Sequence, residues 1–447
     1  MRSEHGIFGE EHFQSIKAFS VVTKFQLDLL KNGVITDSRL VNDLYDSAVA
    51  DSDFSQWSWN GLGANAFMQG ELHDAESYLL KAIFQSKNYG DGYCMLSSLA
   101  VLGPCLLFSG KADEALDICG SVHSWCVDNG YDVSGQFSIL HRVRLLIYRE
   151  INDTSESKKQ FIKLSECPRY IDPLNRAYHL WSEVLYFLGT DTARSRVAVN
   201  KLNTHFSQHY SVWNLGIPSP KLMRSILDVM EGDHKGIIKW AKSFQSSWIQ
   251  KRNTSQQYTF ELLVYCRVLL STGRNPQQAL QYLIESASSG GNLYIEIKAR
   301  VLMACYVLKE KSHSEALNEL ADCLVLAERS KLHGCILDEK EFITDSLSNS
   351  AINILSKRKD VKSNSVWLVL MGSDSTGLPT DNGVQLTGRE QEVLEYLLAG
   401  ASNLEISKSL VISTATVKTH VSNILGKYRV NSRVKLMSEA RLAEHSE

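Results

Sequence analysis

A turn signal that returns about every 40 residues constrains this chain more than any other feature. Candidate turn residues fall at Gly33, Gly70 and Gly110, near Asn152, at Gly189, Gly232 and Gly273, and near Lys311. Between them, residues 15–357 read as helix after helix, with no persuasive strand alternation. The sharpest unit starts at Trp59. Its Trp59, Leu62, Gly63, Ala66, Gly70, Ala75, Leu79 and Ala82 recur in part as Leu102, Gly103, Leu106, Gly110, Ala115 and Val122. Small residues at these positions let two helices cross closely, and the turn glycine accepts a left-handed backbone. One such pair cannot bury its apolar face alone, so the pairs must stack.

The spacing W-xx-LG-xx-A-xxx-G-xxxx-A-xxx-L-xx-A resembles a tetratricopeptide (TPR) repeat. The step exceeds the ~34 residues of a standard repeat, so the helices are longer or the loops wider. The resemblance implies an α-solenoid of about seven or eight helical hairpins, with the first helix of each on a concave surface. Counting back from each turn residue, the inward positions include Trp57 and Asn60, then Arg142 and Arg149, then Arg176, His179 and Glu183, and later Arg267. A groove with several arginines and one tryptophan suits an anionic or hydroxyl-rich small ligand, or an acidic peptide. Trp125, Trp181, Trp213, Trp240 and Trp248 read as packing residues of the solenoid.

The carboxyl-terminal stretch 386–443 has a different grammar, four short helices with signals at nearly every boundary. Thr387 with Glu390, and Ser402 with Glu405, are capping boxes; Gly400 stands where the first helix should stop. Ser413 is placed to cap a third helix of about 15 residues, and Asn431 or Ser432 a fourth. On the third helix Val417, Val421, Ile424, Leu425 and Tyr428 form one apolar stripe. Its opposite side holds Ala415, Thr419, Ser422 and Gly426, with Lys418 beside them. Small side chains let a backbone approach base edges, while lysine and hydroxyls supply hydrogen bonds. From Ile406 to Ser438 there are six Lys or Arg and no Asp or Glu, a patch suited to neutralising phosphates.

These residues, with Leu386, Arg389, Asn403, Ile406, Thr416, His420, Lys427 and Arg433, closely resemble the LuxR-type (GerE-type) helix-turn-helix. The sequence departs from that pattern at Tyr428, usually Leu, and at Ser407, usually Ala. The resemblance implies a scaffold helix at 403–410 and a recognition helix at 414–428. It makes Lys418, Thr419, Ser422 and Ala415 the expected base contacts, and Asn403, Ser413, Thr416, Lys427 and Arg433 the expected phosphate contacts. Val434, Met437 and Ala440 on the fourth helix are the implied dimer contact.

Solenoid and effector together resemble MalT-like regulators, in which a TPR superhelix receives the inducer. No GxxxxGK[ST] loop occurs in this sequence, so nucleotide binding is not carried over. No cofactor, metal or nucleophile motif is expected, and the chain is not read as an enzyme. The net charge of −3 argues against whole-chain affinity for nucleic acid, so the basic patch is local. The nine cysteines form no CxxC pair and read as buried free thiols. No signal peptide opens the sequence, and the longest obvious apolar run, VWLVLM at 366–371, is too short to cross a membrane.

The expected architecture is all-α: a solenoid sensor at 1–357, a linker at 358–385 and a DNA-binding domain at 386–447. The expected function is a cytoplasmic, sequence-specific transcriptional regulator, an activator on family habit. Its expected partners are double-stranded DNA bound as a homodimer, RNA polymerase, and a small-molecule or protein signal at the solenoid. The alternative is an interaction scaffold whose helix-turn-helix is vestigial.

Overall fold

The computed structural model describes residues 10–371 and 388–427, apart from 33, 51–53, 168–172, 189–190, 210–218, 231–234, 252–254, 311–313, 399–400 and 411–413. Among the described residues the secondary structure is helical, without strands. Two compact units emerge, Met1–Asn353 and Ile354–Glu447.

The first unit is an array of antiparallel helix pairs. They are α1 (Glu10–Asn32) with α2 (Ser38–Val49), α3 (Ser55–Gln69) with α4 (Leu72–Tyr89), and α5 (Gly92–Phe108) with α6 (Ala112–Asp128). Next come α7 (Ser138–Glu150) with α8 (Thr154–Glu166), α9 (Pro173–Phe187) with α10 (Thr192–His209), and α11 (Pro220–Met230) with α12 (Lys235–Lys251). The last are α13 (Gln256–Ser271) with α14 (Gln277–Ser289), and α15 (Leu293–Glu310) with α16 (Ser314–Ser330). The short α17 (His333–Leu337) and α18 (Lys340–Ser346) follow.

Four of the eight turn residues read from the sequence fall within the described residues, and these coincide with turns. Gly70, Gly110, Asn152 and Gly273 have φ of 87°, 79°, 61° and 66°. Asparagine is the side-chain-bearing residue that best tolerates this region, which accounts for its use where glycine is missing. Gly33, Gly189, Gly232 and Lys311 lie outside the described residues. The small residues of the repeat act through close approach. A Cβ on Gly63 would sit 2.5 Å from Leu79 Cγ, and one on Gly103 would sit 2.2 Å from Val143 Cγ1. Ala75 and Leu79, which meet Gly63, are fully buried, as is Ala82 one turn on.

The array also curls back on itself, which no local pattern announced. The backbone N–H of Leu72 donates to Gly290 O at 3.1 Å. Phe108 of α5 stacks on Tyr294 of α15 with ring centroids 4.9 Å apart, and Lys331 Nζ lies 2.6 Å from Asp113 Oδ1. The second pair therefore rests on the seventh, the third on the eighth, and α7 on α17. An offset of about five pairs makes one superhelical turn, and it encloses the surface that the first helices of the pairs face.

Along the chain α19 (Asn349–Lys357), α20 (Lys359–Lys362) and α21 (Ser365–Leu370) come next. Asn364 caps α21 by accepting from Trp367 N at 3.0 Å, and the Trp367 side chain is buried. Of the expected linker 358–385, residues 359–370 hold α20 and α21, and 372–385 lie outside the described residues. The second unit then carries α22 (Gly388–Leu398), α23 (Asn403–Ser409) and α24 (Thr414–Lys427).

Candidate functional site

Helices α22, α23 and α24 share one small core. Val393 and Leu397 from α22, Ile406 from α23, and Val417 and Ile424 from α24 are all fully buried in it, with Val421 and Leu425 packed alongside. This is the apolar stripe read from the sequence, and it fixes the rotation of α24. Thr414, Thr416 and Lys418 of the same helix are exposed. Lys418 directly follows buried Val417, so a single step of 100° carries the chain from core to solvent.

The entry to α23 is held by a complete capping box. Ser402 Oγ accepts from Glu405 N at 3.3 Å, and Glu405 Oε2 accepts from Ser402 N at 2.7 Å. The reciprocal pair satisfies two of the amides that a helix start leaves open. Asn403, the first residue of α23, is half-buried, and Lys408 is exposed. Buried Glu390 lies in the first turn of α22, while its expected capping partner Thr387 is outside the described residues. Ala415, Thr419, Ser422 and Lys427 belong to α24, with side chains outside the described set. Ser413, Tyr428, Arg433, Val434, Met437 and Ala440 are outside the described residues as well.

A cavity of about 510 Å³ occupies the inner surface of the first unit. Trp57 and Asn60 of α3 and Arg142 of α7 line it, three of the groove residues read from the sequence. Trp57 Nε1 donates to Asp91 Oδ2 at 2.8 Å, and Asn60 Nδ2 donates to Ser98 Oγ at 3.0 Å. The Arg142 guanidinium lies over the Tyr178 ring at 5.0 Å and donates to Asn175 Oδ1 at 3.3 Å. Most of the remaining wall is apolar or aromatic, including Phe67, Phe108, Tyr178, Trp181 and Phe260.

On α9 the lining residues are Leu174, Asn175, Tyr178, Trp181 and Ser182. Arg176, His179 and Glu183 each stand one position later. His179 is buried, its Nε2 3.9 Å from Glu183 Oε1, and Glu183 pairs with Lys201 at 3.3 Å. Burial, helped by the charges of Arg176, Arg142 and Lys201, pushes the His179 imidazole down to about 4. It is therefore neutral near pH 7, and its contact with Glu183 is not an ion pair there. Trp181, read from the sequence as packing, does pack on Leu180 and Leu202, yet it also faces the cavity.

Arg149 and Arg267, both partly buried, belong to an ionic cluster away from the cavity wall. Arg149 reaches Glu150 at 2.5 Å and Asp338 at 2.7 Å, and Lys298 Nζ reaches Asp338 at 2.7 Å. Arg267 forks onto Glu339, with its Nε 2.9 Å from Oε2. Three cations face three carboxylates, so the cluster is internally neutral. The nine cysteines are all free and eight are buried; burial pushes the Cys94 and Cys119 thiols up to about 12, out of reach of thiolate chemistry. His205 and His209 place their rings 4.5 Å apart on α10, and no third ligating side chain joins them among the described residues.

Comparison with known proteins bears on the second unit. Residues 384–440 match the GerE family model, described as bacterial regulatory proteins of the luxR family. The chain is 46% identical over 59 residues to the Fimbriae Z protein of Escherichia coli (strain K12), covering 13% of this chain and 28% of that one. It is 51% identical over 55 residues to the CsgBAC operon transcriptional regulatory protein of the same strain, covering 12% and 26%. It is 51% identical over 55 residues to the transcriptional regulatory protein DegU of Brevibacillus brevis, covering 12% and 23%. The chain thus spans about a quarter of the length of these curated relatives.

Proposed function

We propose that this chain, which carries a luxR-family helix-turn-helix domain at its carboxyl end, is a sequence-specific DNA-binding transcriptional regulator. The observation that carries the reading is the division of α24: Val417 and Ile424 are fully buried while Thr414, Thr416 and Lys418 are exposed. A helix pinned by its apolar stripe offers a polar, basic face to the major groove, and that is the geometry direct readout requires. In this reading Lys418, Thr419, Ser422 and Ala415 meet base edges, and Asn403, Ser413, Thr416, Lys427 and Arg433 hold phosphates. Two copies, joined through Val434, Met437 and Ala440, would occupy half-sites about one helical turn apart.

The mechanism is binding and not catalysis, carried out in the cytoplasm with RNA polymerase as the downstream partner. The helical array of residues 1–357 receives a signal and biases the DNA-binding domain through 358–385 by differential affinity for two states. The cavity on the inner surface supports that role. The test is selection of bound duplexes from a random pool by the full chain, at two salt concentrations. A regulator enriches a two-fold-related sequence and loses affinity as salt rises. An interaction scaffold with a vestigial helix-turn-helix enriches nothing.

A further inference from the structure

Charge is unevenly distributed along the first unit. From Thr192 to Lys251, the span of α10, α11 and α12, the sequence holds nine Lys or Arg and three Asp or Glu. That is +6 in a chain whose total is −3, so the remainder carries −9. Asp228 is the one acidic residue of this span among the described residues, and Arg196 Nη1 pairs with it at 2.8 Å. On α12 the segregation becomes a face. Ile237, Ala241 and Phe244 are buried at i, i+4 and i+7. Lys235, Lys239 and Lys242 repeat that spacing two residues earlier and are exposed. At 100° per residue the two sets stand on opposite sides of the helix, so packing of one aims the other at solvent. Lys239 and Lys242 form no ion pair among the described residues.

We infer that the lysine face of α12 is a second, sequence-independent contact for duplex DNA, taking phosphates that flank the site α24 reads. The inference rests on the reading of the chain as a DNA-binding regulator, and it adds a contact outside the helix-turn-helix. A stripe of lysines on one helix face is the electrostatic footprint of phosphate binding. From Lys235 to Lys242 the stripe runs ~10 Å, the axial span of about three phosphates of one strand. Lysine meets them as a point charge and carries no base preference. The net negative remainder of the chain repels DNA, which confines the contact to this face. A lipid surface fits less well. The exposed residues described on α12 are Lys235, Gly236, Lys239, Lys242, Ser243 and Gln245, with no apolar side chain among them to enter a bilayer. Once α24 holds a duplex, the flanking phosphates stand at a raised effective concentration, so three lysines suffice to shift affinity.

The experiment is fluorescence anisotropy of the full chain over a salt series, with a site enriched from a random pool and placed in duplexes of about 20 and about 60 base pairs. The wild-type chain is expected to bind the longer duplex about tenfold more tightly at low salt, with a log–log salt slope steeper by about two to three. The triple variant Lys235→Gln, Lys239→Gln, Lys242→Gln should lose both gains while keeping its thermal transition and its affinity for the shorter duplex. Arginine at the same three positions keeps the charge and should keep both gains. If the triple glutamine variant fails to fold, Lys239→Gln decides alone, with a slope on the longer duplex shallower by about one. Equal wild-type affinity for the two lengths overturns the inference, as does a length gain that survives in the glutamine variant. Survival of the gain with a lower sedimenting mass in the absence of DNA would assign the lysines to the acidic surface of a second copy. Equal loss on both lengths overturns it too, by placing the effect at the site that α24 reads. A chain that binds no duplex sinks the regulator reading together with this inference, whereas site binding without a length gain sinks the inference alone.

Discussion

Arg149 Nη2 lies 2.7 Å from Asp338 Oδ1, although 189 positions separate the two residues in the chain. This pair, with Lys298, Glu150, Arg267 and Glu339, fastens α7 to the turn between α17 and α18. Asp338 keeps partial access to solvent, with 27% of its side chain exposed, but its partner Lys298 is buried, and removing the carboxylate leaves that charge poorly compensated. Asp338→Asn should therefore cost about 1–3 kcal/mol of unfolding free energy at pH 7, measured by urea denaturation, less than the loss of a fully buried pair. Burial alone would raise the Asp338 carboxyl, but Arg149 and Lys298 outweigh it and hold it well below the usual carboxylate range. A depressed carboxyl stabilises the fold above its unfolded value near 4 and stops doing so as pH falls further. The variant should accordingly lose part of the wild-type acid sensitivity below about pH 4. A loss under ~1 kcal/mol at pH 7 would show that the closure rests on apolar contacts instead.

His179 supplies a second, milder pH dependence. Its imidazole is neutral in the fold down to about 4 because burial and neighbouring cations disfavour the charge. The unfolded chain takes up a proton near pH 6.5, so stability declines as pH falls from about 6.5 toward 4. One such group contributes at most about 1.4 kcal/mol per pH unit. His179→Gln should flatten that decline in thermal melts recorded across the window, leaving a residue from His141 and His333, which are lowered in the same direction. An unchanged slope would mean that His179 is solvated in the native protein.

At Gly103 the prediction concerns close packing. A methyl group there would meet Val143 Cγ1 at 2.2 Å, so α5 and α7 would have to separate. Gly103→Ala should destabilise the first unit by about 1–3 kcal/mol, although alanine is the better helix former. Val143→Ala in the same chain should recover part of the loss, and a double-mutant cycle by thermal denaturation measures the coupling. Additive effects would place the strain elsewhere.

How much of this was legible follows from the range of each signal. Gly70, Gly110, Asn152 and Gly273 announce their turns because a left-handed residue is chosen locally. Ser402 and Glu405 announce the start of α23 for the same reason, since both partners of the box lie within one turn. The stripe from Val417 to Leu425 gives the rotation of α24 by periodicity alone. The wall of the cavity is harder to read. A count anchored on Gly189 lands on Arg176, His179 and Glu183, whereas α9 lines the cavity with Asn175, Tyr178 and Ser182. One residue is 100° of rotation, enough to exchange a cavity face for a packed one. Trp181 combines both roles, and composition cannot separate them. The closure of the array, from Leu72 to Gly290 and from Arg149 to Asp338, is written in residues too far apart to leave a local pattern.

The central claim is that the exposed face of α24 reads DNA, and the direct measurement is equilibrium binding of the full chain and of Lys418→Ala to a selected duplex, followed by fluorescence anisotropy over a salt series. The account predicts affinity that falls as salt rises, and a loss of about 1–3 kcal/mol in Lys418→Ala confined largely to the selected sequence. Lys418→Ala binding every duplex as the wild-type chain does would contradict it.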